Sequence, residues 1–585
     1  MSAGMLAILG TWLVLLAAFC GIGFVAQRLA GVRAGSAERV LCAFWLGWAI
    51  VVVLLQFWHL VAPVNEVTFL VLVIPGLVGL ALNARDLARL LRTDVRAKVW
   101  YLASVALFAV WLANRAMGPI GPYDAGLYHL NSIRWASEYR IVPGLGCLHG
   151  RLAFNCSHFL YLALLGVGPW KGASHHLGNG VLILVTIAQI GLSVARAFMR
   201  KGDIQAYDLL RILLLVPVVD ESLIYTASTT PDVPVFVLGV VVCVELCRVL
   251  LAPLDATALR YHTVLAVTLA GVGITMKLSF AALGVSAALV AIGFVLVEQM
   301  RGPKRIGRVL RLAWLAGPAV VAVATWMARG VILSGHFAYP SGLGSVAVEW
   351  RISPKHAAEQ VRMMTGRHRQ PYAEDPNANH DEVLSSWSWV VPWAAWTVRK
   401  NWFDVNAPLA VLFGAVLIGL WRRKRGTGHP WRGLLLLVPP VGSLTVWFLT
   451  VPHPRYAGAA FWLLGSGAVV IASVRWWSPK YARRVAVAVG VAALLAAAAH
   501  HRVEGLVVAP GPDHGFYPIP VADLKTFTTN SGLVLYAPRR GNQCWDAPLP
   551  CTPYPSATIR LRRADDMTSG FVRTPPPGRS KPRTE

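Results

Sequence analysis

Long apolar runs recur along the chain from Met5 to about residue 501, separated by short polar stretches. Each run can cross a hydrocarbon core, which needs about 20 helical residues. The runs are continuous rather than alternating, so the pattern predicts helices and not an outer-membrane barrel. The first, 5–26, reads as a retained helix: Met1 to Gly4 carries no Lys or Arg, and bulky Phe19 precedes Cys20. The run 263–297 is too long for one helix and just long enough for two. It predicts a hairpin with its apex at Thr275-Met-Lys277-Leu-Ser279. From about residue 502 the pattern turns polar, with a strand-like stretch at 532–536, and the Pro-rich end 574–585 is expected to be disordered.

Charge orients these runs. Only 14% of the 585 residues are charged, against 56% hydrophobic, where soluble domains carry about a quarter charged. The net charge of +26 would suggest nucleic acid in a soluble protein. Here the basic residues cluster in loops between apolar runs, as orientation signals do, and no nucleic-acid partner is expected. Arg28, Arg33 and Arg39 follow the first run, and Arg85, Arg89, Arg92, Arg96 and Lys98 the third. Arg196, Arg200 and Lys201 come next, then Arg301, Lys304, Arg305, Arg308 and Arg311. Arg422, Arg423, Lys424 and Arg425, then Arg475, Lys480, Arg483 and Arg484, complete the series. With these loops cytoplasmic, the N-terminus, loops 62–67, 114–157, 227–232, 334–400 and 451–456, and the region from 502 lie outside. The expected fold is an all-α integral membrane protein of about 14 transmembrane helices over 1–501. An extracytoplasmic C-terminal region follows at 502–573, then the tail 574–585.

Candidate chemistry gathers on the outer loops. In Gly118-Pro-Ile-Gly-Pro-Tyr-Asp124-Ala-Gly-Leu-Tyr-His129, glycines and prolines break the preceding helix, and a short helix begins at Asp124. Tyr128, Asn131 and Trp135 share its face at steps of three and four, which predicts an amphipathic helix at the membrane surface. Asp124 reads either as a functional acid or as an N-cap. His129, His149 and His158 read as ligands or as hydrogen-bonded scaffold. Asp232 sits in the turn Ser228-Thr-Thr-Pro-Asp-Val-Pro234, Arg455 in Val451-Pro-His-Pro-Arg-Tyr456, and Lys277 at the hairpin apex. Lys277 either snorkels or faces a polar cavity. Two carboxylates and two cations are thus expected on one side of the membrane. Trp350, Trp387, Trp389, Trp393 and Trp396 either stack on sugar rings or belt the interface. Cys20, Cys42, Cys243 and Cys247 lie in apolar runs and read as packing residues. Cys544–Cys551 is expected to be a disulfide in an oxidising exterior, with metal binding the rival and no nearby His to complete a zinc pattern. Cys147–Cys156 is a weaker version of the same expectation.

A multi-spanning helical chain with an acid in its first large outer loop resembles the GT-C superfamily of membrane glycosyltransferases. Tyr123-Asp124-Ala-Gly-Leu-Tyr-His129, Gly144-Leu-Gly146, His149-Gly-Arg-Leu-Ala-Phe-Asn155 and Cys544-Trp-Asp-Ala-Pro-Leu-Pro-Cys551 more closely resemble a bacterial family of multi-spanning membrane proteins, itself GT-C-like. In that family an Asn and a Ser are usual where this chain has Cys147 and Cys156, and the departure favours their pairing. The resemblance implies a bacterial inner (plasma) membrane enzyme that moves a sugar from a polyprenyl-phosphate donor to an envelope glycan or lipid acceptor. It implies Asp124 as base, with Asp232 orienting the acceptor or holding an optional divalent cation. Lys277 or Arg455 would stabilise the departing phosphate, and Tyr128, His129, Arg134 and His149 would contribute to substrate binding. A lipid or polysaccharide transporter or flippase, an envelope-polysaccharide polymerase and a non-catalytic scaffold are the rival readings.

Overall fold

A computed structural model of the chain describes residues 2–32, 36–92, 95–198, 204–300, 306–375, 380–421, 430–473, 479–501, 503–513 and 515–574. Among these, ten helices are long and apolar enough to cross a membrane. The number is eleven when Glu66–Leu82 and Ala84–Leu90, bent by 58° at a break, are taken as one span. The chain is therefore a mainly helical, multi-pass membrane protein. Three further helical stretches fall outside that test: the broken pair Ala206–Leu213 and Leu215–Tyr225, the 14-residue Ala460–Ser473, and Pro479–His501. Of the basic loop positions, Arg33, Arg200, Lys201, Arg301, Lys304, Arg305, Arg422, Arg423, Lys424, Arg425 and Arg475 lie outside the described residues, as does 575–585.

Polar residues start several of the helices, because the first N–H groups of a helix have no partner within it. Asn65 and Thr68 close a capping box at the head of Glu66–Leu82, and Asp255 Oδ1 accepts from the N–H groups of Thr257 and Ala258. Ala3–Leu29, Ala37–Val61 and Glu66–Leu82 meet through glycine. A Cβ on Gly23 would lie 1.8 Å from the carbonyl oxygen of Ala43, and one on Gly21 1.7 Å from that of Gly76. Such close backbone approach replaces the hydrophobic drive that helices lack against one another in lipid. The run 263–297 is a hairpin, Ala256–Met276 and Ala281–Met300, with Lys277 at the turn.

The helical bundle also buries a charge network that the apolar pattern concealed. Glu38 accepts from Arg196 at 2.9 Å, Arg211 at 2.6 Å and Arg248 at 2.6 Å, and Glu245 pairs with His262 at 2.6 Å. Arg196, expected as an orientation signal in a basic loop, is turned inward onto Glu38 and Asp208, since charge inside an apolar bundle must find a partner. The C-terminal region carries two small antiparallel sheets. One pairs β1 (Leu524–Thr528) with β2 (Val534–Pro538), and the other pairs β3 (Ile559–Leu561) with β4 (Phe571–Arg573). β2 overlaps the strand-like 532–536.

Candidate functional site

Asp124 opens a helix that starts as one π-turn, Ala125–His129, and continues as the α-helix Leu130–Glu138. It occupies the N-cap position without a side-chain cap bond. Its carboxylate instead accepts from Arg151 Nη1 at 3.1 Å and forms an ion pair with Arg455 Nη2 at 3.5 Å. Capping therefore does not account for this acid. The face shared by Tyr128, Asn131 and Trp135 is buried rather than spread on a membrane surface. Phe154 and Phe159 flank Tyr128, and Phe571 of β4 meets Trp135 edge-on at 5.8 Å. A distant segment thus covers the face that local periodicity showed only as apolar.

Asp232 begins the helix Asp232–Leu251 with its side chain 8% exposed. Thr230 Oγ1 donates to its Oδ2 at 2.9 Å, and Lys277 pairs with its Oδ1. Arg455 Nε donates to Oδ2 at 2.7 Å. Burial alone would lower the Arg455 guanidinium, but the charge of Asp232 and its hydrogen bond carry it above its usual value. The groups form one ordered chain, Lys277, Asp232, Arg455, Asp124, Arg151. Three cations against two carboxylates leave it with one excess positive charge, suited to an anion.

Aromatic residues hold the Arg455 turn. Trp393 Nε1 donates to the Pro452 carbonyl at 2.6 Å and Trp447 Nε1 to that of His453 at 2.8 Å. Trp387 and Trp389 stack beside Phe448, Trp396 lies 6.0 Å from the His453 ring, and the Lys277 ammonium lies 4.7 Å over Tyr456. Trp350 is packed beneath Arg562 of the C-terminal region.

The remaining expected residues divide. Tyr128 lies under the Arg151 guanidinium at 5.6 Å, next to the ion chain. His129 Nδ1 meets Thr229 Oγ1 at 3.0 Å, so His129 clamps the turn that presents Asp232. Burial holds the imidazole well below its ordinary range, hence neutral. Arg134 is not brought to the ion chain. It pairs with Glu138 at 2.6 Å and donates to the Asp546 carbonyl at 2.9 Å, tying down the C-terminal loop. His149 packs edge-on against Tyr554, and burial, with Arg151 adding to it, pushes its ring down to about 3. Cys147 and Cys156 are free thiols, contrary to their expected pairing. Different elements engage them: Cys147 Sγ donates to the Trp350 carbonyl at 3.3 Å and Cys156 Sγ to that of Met276 at 2.8 Å. Cys544 and Cys551 are bonded to each other. The disulfide loop they close caps the Asp124 helix. The Trp545 N–H donates to the Gly126 carbonyl at 2.9 Å, and a Cβ on Gly126 would come within 2.7 Å of the Trp545 indole. Arg151 was missed as a site residue, although it stands in the His149–Asn155 motif.

The donor set does not fit the optional divalent cation. Both carboxylates of the ion chain already hold cationic side chains. Among the described residues, acid, thiol and imidazole atoms gather closely enough for a metal only at Cys42, Glu245 and His262. There Arg211 and Arg248 each stand 3.8 Å from Glu245, and their positive charge opposes a further cation.

No curated protein and no solved structure matches the chain. Residues 5–462, most of its length, match one family of proteins, and the chain belongs to that family, described as a domain of unknown function (DUF8201).

Proposed function

We propose that the protein is a GT-C-like membrane glycosyltransferase, drawing sugar from a polyprenyl-phosphate donor for an envelope glycan or lipid acceptor. The observation that carries this reading is the meeting of Asp124, Asp232, Lys277 and Arg455, from four separated segments, in one net-cationic chain. In the proposed topology both termini and this chain face outside. The broken pair 206–225, Ala460–Ser473 and Pro479–His501 then count as spans, giving about 14.

The acceptor hydroxyl oxygen bonds to the anomeric carbon as the bond from that carbon to the lipid phosphate oxygen breaks. The electron pair of the broken bond stays with the phosphate, where Lys277 and Arg455 stabilise it. The hydroxyl proton passes to Asp124, a role worth roughly 10²–10⁴-fold. Asp232 positions both cations. An open apolar groove of about 370 Å³, lined by Val441, Leu444, Thr445, Phe448, Leu449 and Leu464, supports a lipid-borne donor. Phe448 in its wall packs against the tryptophans that hold the Arg455 turn.

The test uses purified protein in nanodiscs with a radiolabelled polyprenyl-phosphate hexose and an envelope-glycan extract. Label should move to the glycan and free polyprenyl phosphate should accumulate. Intact donor after long incubation, together with movement of label across vesicles carrying the protein, would favour the flippase reading instead.

A further inference from the structure

Arg329 stands near the end of the helix Ile306–Ser334 and is 3% exposed. Its Nε donates to Asn155 Oδ1 at 3.3 Å, and its Nη1 meets His59 Nδ1 at 2.9 Å. His59 Nε2 lies 3.1 Å from the Tyr139 carbonyl oxygen, which can only accept. The proton therefore sits on Nε2, leaving Nδ1 as a neutral acceptor for Arg329. Both partners are uncharged, and no described carboxylate forms an ion pair with Arg329. A guanidinium keeps its proton, so a full positive charge is buried without a counter-charge, a costly state in a fold that elsewhere pairs its buried charges.

The surroundings are built to hold it. Asn155 adopts a left-handed conformation, φ 52° and ψ 46°, which asparagine tolerates better than most residues other than glycine. Trp326 locks it from both sides: Asn155 Nδ2 donates to the Trp326 carbonyl at 2.5 Å, and Trp326 Nε1 donates to that of Asn155 at 2.6 Å. Arg329 lines a cavity of about 40 Å³ together with Arg140, Arg151, Trp135, Asn155 and Cys156, and no lining residue is acidic. The indole Nε1–H of Trp135 is buried with no acceptor among the described residues. The volume suits about three ordered waters at 10–15 Å³ each, or one phosphate or carboxylate group.

We infer that this cavity is an oxyanion subsite, in which Arg329, with Arg140, Arg151 and the Trp135 N–H, receives a phosphate or carboxylate group carried by the acceptor. The oxyanion site stands on its own geometry, while its assignment to the acceptor rests on the transferase reading. Arg151 belongs to both the cavity and the ion chain, where it stands at the opposite end from Lys277. A donor phosphate at Lys277 and Arg455 leaves the Arg151 side for the acceptor. An anionic group held there would set the acceptor hydroxyl against Asp124 and would select anionic acceptors over neutral ones.

The test measures heat-aggregation midpoints of detergent-purified protein against inorganic phosphate, acetate and polyprenyl phosphate, with chloride matching ionic strength. Inorganic phosphate or acetate should raise the wild-type midpoint. Arg329→Met should need at least ten times the concentration for the same shift, while its response to polyprenyl phosphate stays intact. Arg329→Lys keeps the charge and loses the fork, so it should fall between the two, and it carries the test if the Met variant does not fold. Equal responses of wild type and both variants, or no wild-type response to either small anion, would overturn the oxyanion site. Loss of the polyprenyl phosphate response in Arg329→Met would overturn the acceptor assignment and give the site to the donor. An Arg329-dependent phosphate response in a protein that transfers no sugar would uphold the oxyanion site and sink the transferase reading alone.

Discussion

Replacing Asp124 with Asn should lower sugar transfer by roughly 10²–10⁴-fold while the folded protein survives. The substitution keeps the shape and one acceptor oxygen but removes the negative charge and nearly all basicity. A structural effect of that size is not available at this position. The carboxylate makes no cap bond, and Asn and Asp cap about equally in any case. Its closer ion pair joins it to Arg151, whose side chain is 41% exposed, and pairs open to solvent contribute ~0–1 kcal/mol. Donor binding should persist, because Lys277 and Arg455 still carry the phosphate-binding charge. The check is turnover and polyprenyl-phosphate binding on the same nanodisc preparation. Near-normal transfer by the Asn variant would remove Asp124 from the chemistry.

Asp232→Ala should cost the largest share of stability of any change in the ion chain. Asp232 is the only described carboxylate paired with Lys277, and it also receives Arg455 at 2.7 Å. Removing it strands Lys277 beside a helix start and leaves Arg455 only its 3.5 Å pair with Asp124, and breaking a buried pair on one side costs about 3–5 kcal/mol. The heat-aggregation midpoint of the purified variant should fall clearly, and yield with it. Adding Lys277→Met removes one stranded charge and should restore part of the midpoint without restoring transfer. A single variant as stable as the wild type would show that Asp232 does not hold the two cations.

Much of this architecture is legible locally. The length of the run 263–297 placed Lys277 at a hairpin apex, and breaker residues around Asp124, Asp232 and Arg455 placed each at a helix end. Helix ends on one side of a bundle bring such residues together, so the proximity of Lys277, Asp232, Arg455 and Asp124 follows from topology. What lay beyond reach depends on contacts remote in sequence. Arg134 faces Asp546, more than 400 positions away, and Trp545 closes on Gly126. Cys147 and Cys156, nine positions apart, look pairable until Trp350 and Met276 claim them separately. Arg329 could have been found by the rule that flagged Lys277, since it too is a charge within an apolar run. Arg196 shows the opposite failure: a basic residue that reads as an orientation signal is also an internal partner for Glu38. The C-terminal motif 544–551 signalled its disulfide, but not that the loop exists to cover the Asp124 helix.

The most direct measurement is a structure of the Asp124→Asn variant in nanodiscs with a polyprenyl-phosphate hexose bound. The donor phosphate should lie about 3 Å from both the Lys277 ammonium and the Arg455 guanidinium, at hydrogen-bond distance. The anomeric carbon should face residue 124, and the prenyl chain should run along the groove beside Phe448. A headgroup bound instead at the Glu38, Arg211 and Arg248 network, or anywhere out of reach of Arg455, would contradict the account.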